Sequence, residues 1–295
     1  MRETLLKPLC FLTGALLAVM VIFNTTLAAR TSSEVSTLMN QALSLFWVSL
    51  LLVSFRKNPS VRPRPGKTPW YLHFGGLIGI AIIYINLIAV PNAGTTVTMA
   101  SSVLGLCLAG LFFDLTGFLG MEKRPVTKRK LLSLLVSLSG IVIMMAFSKE
   151  ALRVRYMLLA LFAGALNMLQ LTHNSFISSK RGPFYSALLN ALGGTIGMLV
   201  ISFLILPGKS FSALSALRGI SPVLVLGGGT LGALITVLSN TLIQRLPGAV
   251  SSILLSSGQI IAGVLLDLLI LGRFSSSLLV GSAVMILGLA LDKNH

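Results

Sequence analysis

Residues 164–190 read GALNMLQLTHNSFISSKRGPFYSALLN, and residues 14–40 read GALLAVMVIFNTTLAARTSSEVSTLMN. At a constant spacing of 150, Gly14-Ala15-Leu16 meets Gly164-Ala165-Leu166, Asn24 meets Asn174, Leu38 meets Leu188 and Asn40 meets Asn190. The match resumes at a spacing of 153, where Gly75-Gly76-x-x-Gly79 meets Gly228-Gly229-x-x-Gly232, Gly105 meets Gly258, Ala109-Gly110 meets Ala262-Gly263 and Asp114 meets Asp267. Leucine coincidences are cheap in a leucine-rich chain. Coincidences of Asn, Asp and Gly are not. The chain therefore reads as a duplication, with a first repeat over 1–150 and a second over 151–295.

Composition says what the repeats are made of. Of 295 residues, 55% are hydrophobic and 10% charged, with a mean hydropathy of +0.92. A soluble domain carries about 25% charged residues, so that class is excluded. The charged minority is lopsided, with 23 Lys and Arg against 7 Asp and Glu, a net charge of +16. Such a balance can serve nucleic acid, since bases neutralise phosphates. That use needs a hydrated polar face, which this composition does not supply, and no nucleic-acid partner is expected. Loops between membrane spans are the alternative home for the bases.

A span needs about 20 apolar residues. Ten candidates fit, at 8–28, 36–55, 70–90, 93–113, 131–147, 156–176, 185–206, 222–243, 248–271 and 275–291. Backbone polar groups must bond to one another in hydrocarbon, which favours helices. The runs are also too long, and too uniformly apolar, for barrel strands. The expected fold is an all-α integral membrane protein of ten transmembrane helices. Five spans per repeat is an odd number, so the second repeat enters the membrane with the opposite sense. That is the inverted duplication of secondary transporters, whose substrate sites lie at the repeat interface.

The first run, behind Arg2 and Lys7 and ending in Thr26-Leu27-Ala28, resembles a cleavable signal peptide. Its recurrence in the second repeat argues for a retained helix. With the N-terminus in the cytoplasm, sixteen of the 23 bases fall on that side, ten of them in two loops at 56–67 and 123–130. The positive-inside rule then places both termini in the cytoplasm. Cys10 and Cys107 lie inside apolar runs, which gives neither a disulfide framework nor a metal cluster.

Polar residues inside the spans are the candidates for function. Glycine pairs such as Gly75-x-x-x-Gly79, Gly193-x-x-x-Gly197 and Gly228-x-x-x-Gly232 let helix backbones approach and read as scaffold. Amides are more informative. Gln170 and Asn174 share one face of the sixth span, and Asn24 is the counterpart of Asn174. Asn40 and Asn190 occupy the second and seventh spans, Asn86 and Asn240 the third and eighth, and Gln259 the ninth. Buried amides can be interhelical glue; as a symmetric set they suit a polar cavity.

Of the seven acids, Asp114 ends the fourth span and Asp267 lies inside the end of the ninth. Each is either a coupling carboxylate or a group that caps backbone or pairs with a loop base. His73 sits near a span end and His173 beside Asn174. No catalytic arrangement, metal-ligand spacing or phosphate loop can be read, and no cofactor is expected.

These residues resemble the YdcZ family of inner-membrane exporters, within the drug/metabolite transporter superfamily. The second repeat carries Gln170-x-x-x-Asn174, Gly228-Gly229-x-x-Gly232, Pro247-Gly248, Gly258-Gln259 and Asp267. The first keeps Asn24, Gly75-Gly76-x-x-Gly79, Pro91, Gly94, Gly105, Asp114 and Gly117, with Met20 and Leu106 where the second has glutamine. The resemblance implies two inverted five-helix bundles around a cavity and alternating access for a small metabolite or drug.

The function expected is that of a secondary transporter, not an enzyme. Gln170, Asn174, Gln259, Asn24, Asn40 and Asn190 would bind substrate, and Asp267 and Asp114 would serve coupling. The rival is a membrane enzyme acting on a lipid-linked substrate, which would need acids, histidines or a metal converging at one membrane face. Expected partners are the small-molecule substrate and membrane lipid, with a homodimer as an option.

Overall fold

A computed structural model describes residues 3–66, 69–117, 127–146, 153–205, 215–242, 245, 248–271 and 276–291. Ten α-helices follow one another, and among the described residues there is no strand. They are α1 (Glu3–Arg30), α2 (Ser33–Ser54), α3 (Gly75–Ala93), α4 (Thr95–Thr116), α5 (Lys128–Ala146), α6 (Arg153–Arg181), α7 (Pro183–Leu199), α8 (Pro222–Leu242), α9 (Gly248–Leu271) and α10 (Ser276–Leu291). Each falls on one of the ten predicted runs. A 3₁₀ turn over Trp70–Phe74 leads into α3, and α7 continues as a π-helical stretch over Val200–Ile205.

Among the described residues, seven helical segments are long and apolar enough to cross a membrane. The segments Leu131–Gly140, Leu254–Leu269 and Leu279–Gly288 in α5, α9 and α10 are apolar but shorter.

Local chemistry sets the helix ends. Ser32 caps α2 by accepting the Val35 N–H at 3.2 Å. Gly94 separates α3 from α4 at φ +84°, a conformation that a side chain would strain. Gly117 ends α4 in the left-handed region, its N–H returning to the Phe113 carbonyl at 2.8 Å.

The chain forms two compact units, and each draws on both sequence repeats. Unit 1 comprises residues 1–19, 88–169 and 245–295; unit 2 comprises 20–87 and 170–244. The core of unit 1 joins Val97, Ala100, Val103 and Leu104 of α4 to Leu134 of α5, Met157 of α6, Ile260 of α9 and Met285 of α10. Unit 2 has smaller cores, among them Val48 with Ala187 and Ala233, and Leu38 with Ile80 and Met198.

Inside unit 1 the close backbone approaches come in exchanged pairs. A Cβ on Gly105 would collide with the Leu161 carbonyl, and one on Gly258 with the Phe11 carbonyl. Likewise Gly14 lies on the Leu255 carbonyl, and Gly164 on that of Ser102. In each pair the partners trade repeats at the spacings of 150 and 153 found in the sequence. Unit 2 does the same: Gly76 lies on the Asn190 carbonyl, and Gly229 on that of Asn40. Reciprocal contacts of this kind define a two-fold relation between like segments. The α1 segment is fully part of this packing through Gly14 and the buried Cys10.

Candidate functional site

The predicted amides fall mainly in unit 2, where glycines leave room for them. Gln170 of α6 donates through Nε2 to Asn190 Oδ1 of α7 at 2.9 Å. This pair lies over Gly79 of α3, where a Cβ would come 2.8 Å from Gln170 Nε2. One turn along α6, Asn174 is buried, with its Oδ1 3.5 Å from His173 Nδ1. The His173 ring occupies the space over Gly75.

The related positions form a second group. Asn40 of α2 is buried, and a Cβ on Gly232 of α8 would be 2.8 Å from its Oδ1 and from Ser44 Oγ. Ser44 Oγ donates to the Gly229 carbonyl at 2.9 Å. Met20 Sδ would lie 3.6 Å from the same Cβ. Met20 thus stands where Gln170 stands in the first group, as the repeat spacing requires. Asn40 Nδ2 is fully enclosed and has no hydrogen-bond partner. Asn24 of α1 is buried with its Oδ1 against Gly228.

Three further polar residues belong here: Gln41, Ser36 and Ser186. Gln41 is buried beside Asn40, its amide against Gly194 of α7 and reaching towards Gly79. It aligns with Ala191, so symmetry between the repeats gives no signal for it; its polarity within an apolar span does. Ser36 Oγ donates to the Asn24 carbonyl at 2.7 Å, and Ser186 Oγ to the Asn174 carbonyl at 2.9 Å. Here a signal existed, since the serines stand 150 residues apart.

Asn240 bonds the Pro183 carbonyl at 3.2 Å, tying α8 to the start of α7, while Asn86 Oδ1 is buried without a partner. Gln259 lies in unit 1, buried, with Nε2 3.1 Å from Met99 Sδ.

Asp267 is also in unit 1 and buried. Its Oδ1 accepts the Thr95 N–H at 2.9 Å and its Oδ2 the Thr96 N–H at 2.7 Å. These are orphan donors of a helix's first turn, where the helix dipole also favours negative charge. Asp267 therefore holds the start of α4. Asp114 is in α4, and its side chain lies outside the described residues.

Unit 1 also contains an apolar hollow of about 430 Å³, lined by Gly105, Leu108, Phe112, Leu161, Ala165 and Leu169 among others. None of the predicted site residues lines it. Among the described residues no three His, Cys, Asp or Glu side chains gather as a metal site would require.

A family model described as "Putative inner membrane exporter, YdcZ" matches the chain twice, over residues 5–143 and 155–291. The chain belongs to the YdcZ family of the drug/metabolite transporters. Each matched range takes in five of the described helices, α1 to α5 in the first and α6 to α10 in the second. No functionally curated protein matches the sequence. A solved structure described as "Crystal structure of protein" is similar, with 15% identity, a TM-score of 0.61, and coverage of 98% of this chain and 94% of its own. At that identity the likeness shows the fold alone. Family membership and the apolar helices make this a multi-pass membrane protein of exporter type.

Proposed function

We propose that the chain is a secondary transporter that exports a small polar or amphipathic metabolite or drug by alternating access. The observation that carries this reading is the amide cluster of unit 2. The Gln170–Asn190 bond and the buried Asn24, Asn40 and Asn174 sit on glycine faces of otherwise apolar helices. Polar groups inside membrane spans are costly and mark solute paths. Within unit 1, Gln259 is a separate candidate for substrate contact, because the thioether it bonds is a weak acceptor that a ligand can replace.

In this reading the ten helices are ten spans, arranged as two inverted five-helix repeats, and the exchanged glycine contacts are the supporting observation. The junction at 150/151 marks the duplication, while the compact units are each assembled from both copies. The bases at 56–67 and 123–130 favour cytoplasmic termini. Exposed leucines such as Leu204 and Leu269 face lipid.

Asp267 and Asp114 are the coupling carboxylates. For Asp267 the support is geometric. Protonation would convert one oxygen from acceptor to donor and leave a first-turn N–H of α4 unpaired.

The test compares metabolites in the medium of cells expressing the wild type and Gln170→Leu at matched membrane levels. A compound that accumulates outside only with the wild type is expected. Identical profiles for wild type, variant and empty cells overturn the transport reading.

A further inference from the structure

The two amide groups of unit 2 are related by symmetry but chemically unequal. Over Gly79 stand Gln170 and Gln41, whose nitrogens would lie 2.8 Å and 3.4 Å from a Cβ there, with Asn190 bonded to Gln170. Over Gly232 stand Met20, Asn40 and Ser44. The first group is rich in N–H donors: two carboxamides bring four, and Asn190 Oδ1 takes one of them. The second group presents the Met20 thioether with Asn40 Oδ1 and Ser44 Oγ over Gly232, and Asn40 Nδ2 is a buried donor with no partner.

Among the described residues, the side chains that meet Gly79 and Gly232 are all uncharged. On the helices concerned, the charged residues of unit 2 stand at the ends: Arg30 on α1, Glu34 on α2, and Lys180 and Arg181 on α6. The helices α3, α7 and α8 contain none. A ligand ion brought here would lose its hydration without gaining a counter-charge, a penalty that neutral solutes escape.

Building on the transport reading above, we propose that Gln41 is a further substrate-binding residue, and that this site takes uncharged solutes. Its ligand presents hydrogen-bond acceptors, such as a carbonyl or hydroxyl, to the amides of Gln41, Gln170 and Asn40. Gln41 has no glutamine counterpart in the other repeat, so the donors gather over Gly79 rather than over Gly232.

The test uses three near-isosteric probes that differ in charge: benzamide, benzamidinium and benzoate. Binding to the full chain in lipid nanodiscs is measured by equilibrium dialysis. Benzamide is expected to bind at least about tenfold more tightly than either ion. Gln41→Leu, with its melting midpoint unchanged, is expected to weaken benzamide about tenfold. Gln41→Glu should transfer the preference to benzamidinium.

An ion that binds as well as benzamide, a Gln41→Leu protein that binds benzamide normally, or no binding of benzamide overturns the proposal. The metabolite-export comparison reads the transport function separately. Normal benzamide binding with no export overturns the function and leaves the ligand class standing. Export without benzamide binding does the reverse.

Discussion

Asp267 caps the helix in which Thr96 stands: its Oδ2 accepts the Thr96 backbone N–H at 2.7 Å, while Oδ1 accepts that of Thr95 at 2.9 Å. Asn at position 267 keeps one carbonyl oxygen but places an NH2 against the second donor and removes the charge. Asp267→Asn should lower stability by about 1–2 kcal/mol, read as a lower unfolding midpoint in detergent. In the coupling role proposed for it, the variant should also lose flux driven by a pH gradient while retaining solute counterflow. A protein with an unchanged midpoint would show that the cap contributes nothing to stability.

The exchanged glycines predict matched damage. Gly105→Ala and Gly258→Ala each drive a methyl into a backbone carbonyl of the facing helix, Leu161 in one case and Phe11 in the other. Backbone cannot yield as a side-chain tip can, and both variants should fold poorly, with comparable losses of membrane-inserted protein on size-exclusion chromatography. Gly110→Ala is the control, since its methyl would rest 3.6 Å from the flexible Met168 Cε. Severe loss in one glycine variant alone would contradict the two-fold relation.

Replacing Gln170 by Met makes the two groups of unit 2 alike at that position, because Met20 is its counterpart. Asn190 Oδ1 then loses the donor now 2.9 Å away. Gln170→Met should keep its fold, since the two side chains are similar in length, yet lose export at least about tenfold. Normal export in the metabolite comparison would remove Gln170 from the substrate site.

Ser36 and Ser186 make the same bond in the two repeats, to carbonyls twelve residues earlier. Ser36→Ala and Ser186→Ala should each cost about 0.5–1.5 kcal/mol. With no partner in common, the double variant should show the sum. Chemical unfolding of the single and double variants checks both points.

The distribution of bases predicts a cytoplasmic C-terminus. A fluorescent protein fused after residue 295 should be bright, and alkaline phosphatase fused there should be inactive. The opposite pair of outcomes would invert the topology.

The helices were legible in the sequence because hydropathy is a local property, and all ten predicted runs coincide with helices. The matched Asn, Asp and Gly of the two halves stand out in the sequence alone. Partnerships do not. Asp267 stands out as an acid in an apolar run, but its donors lie 171 and 172 positions away, and no spacing rule links them. Symmetry between the repeats gives no sign of Gln41, because its counterpart is Ala191. Gln259 was grouped with the other amides on composition, although its bond is to Met99 in unit 1.

The reciprocal seating of Gly105 on Leu161 and Gly258 on Phe11 bears on ancestry. A chain of five such helices would have no partner for these surfaces except another molecule of itself, so a half-length ancestor would have been an obligate dimer. In a single chain the two sides of the axis are free to differ, and Gln170 and Met20 give unit 2 two unlike walls.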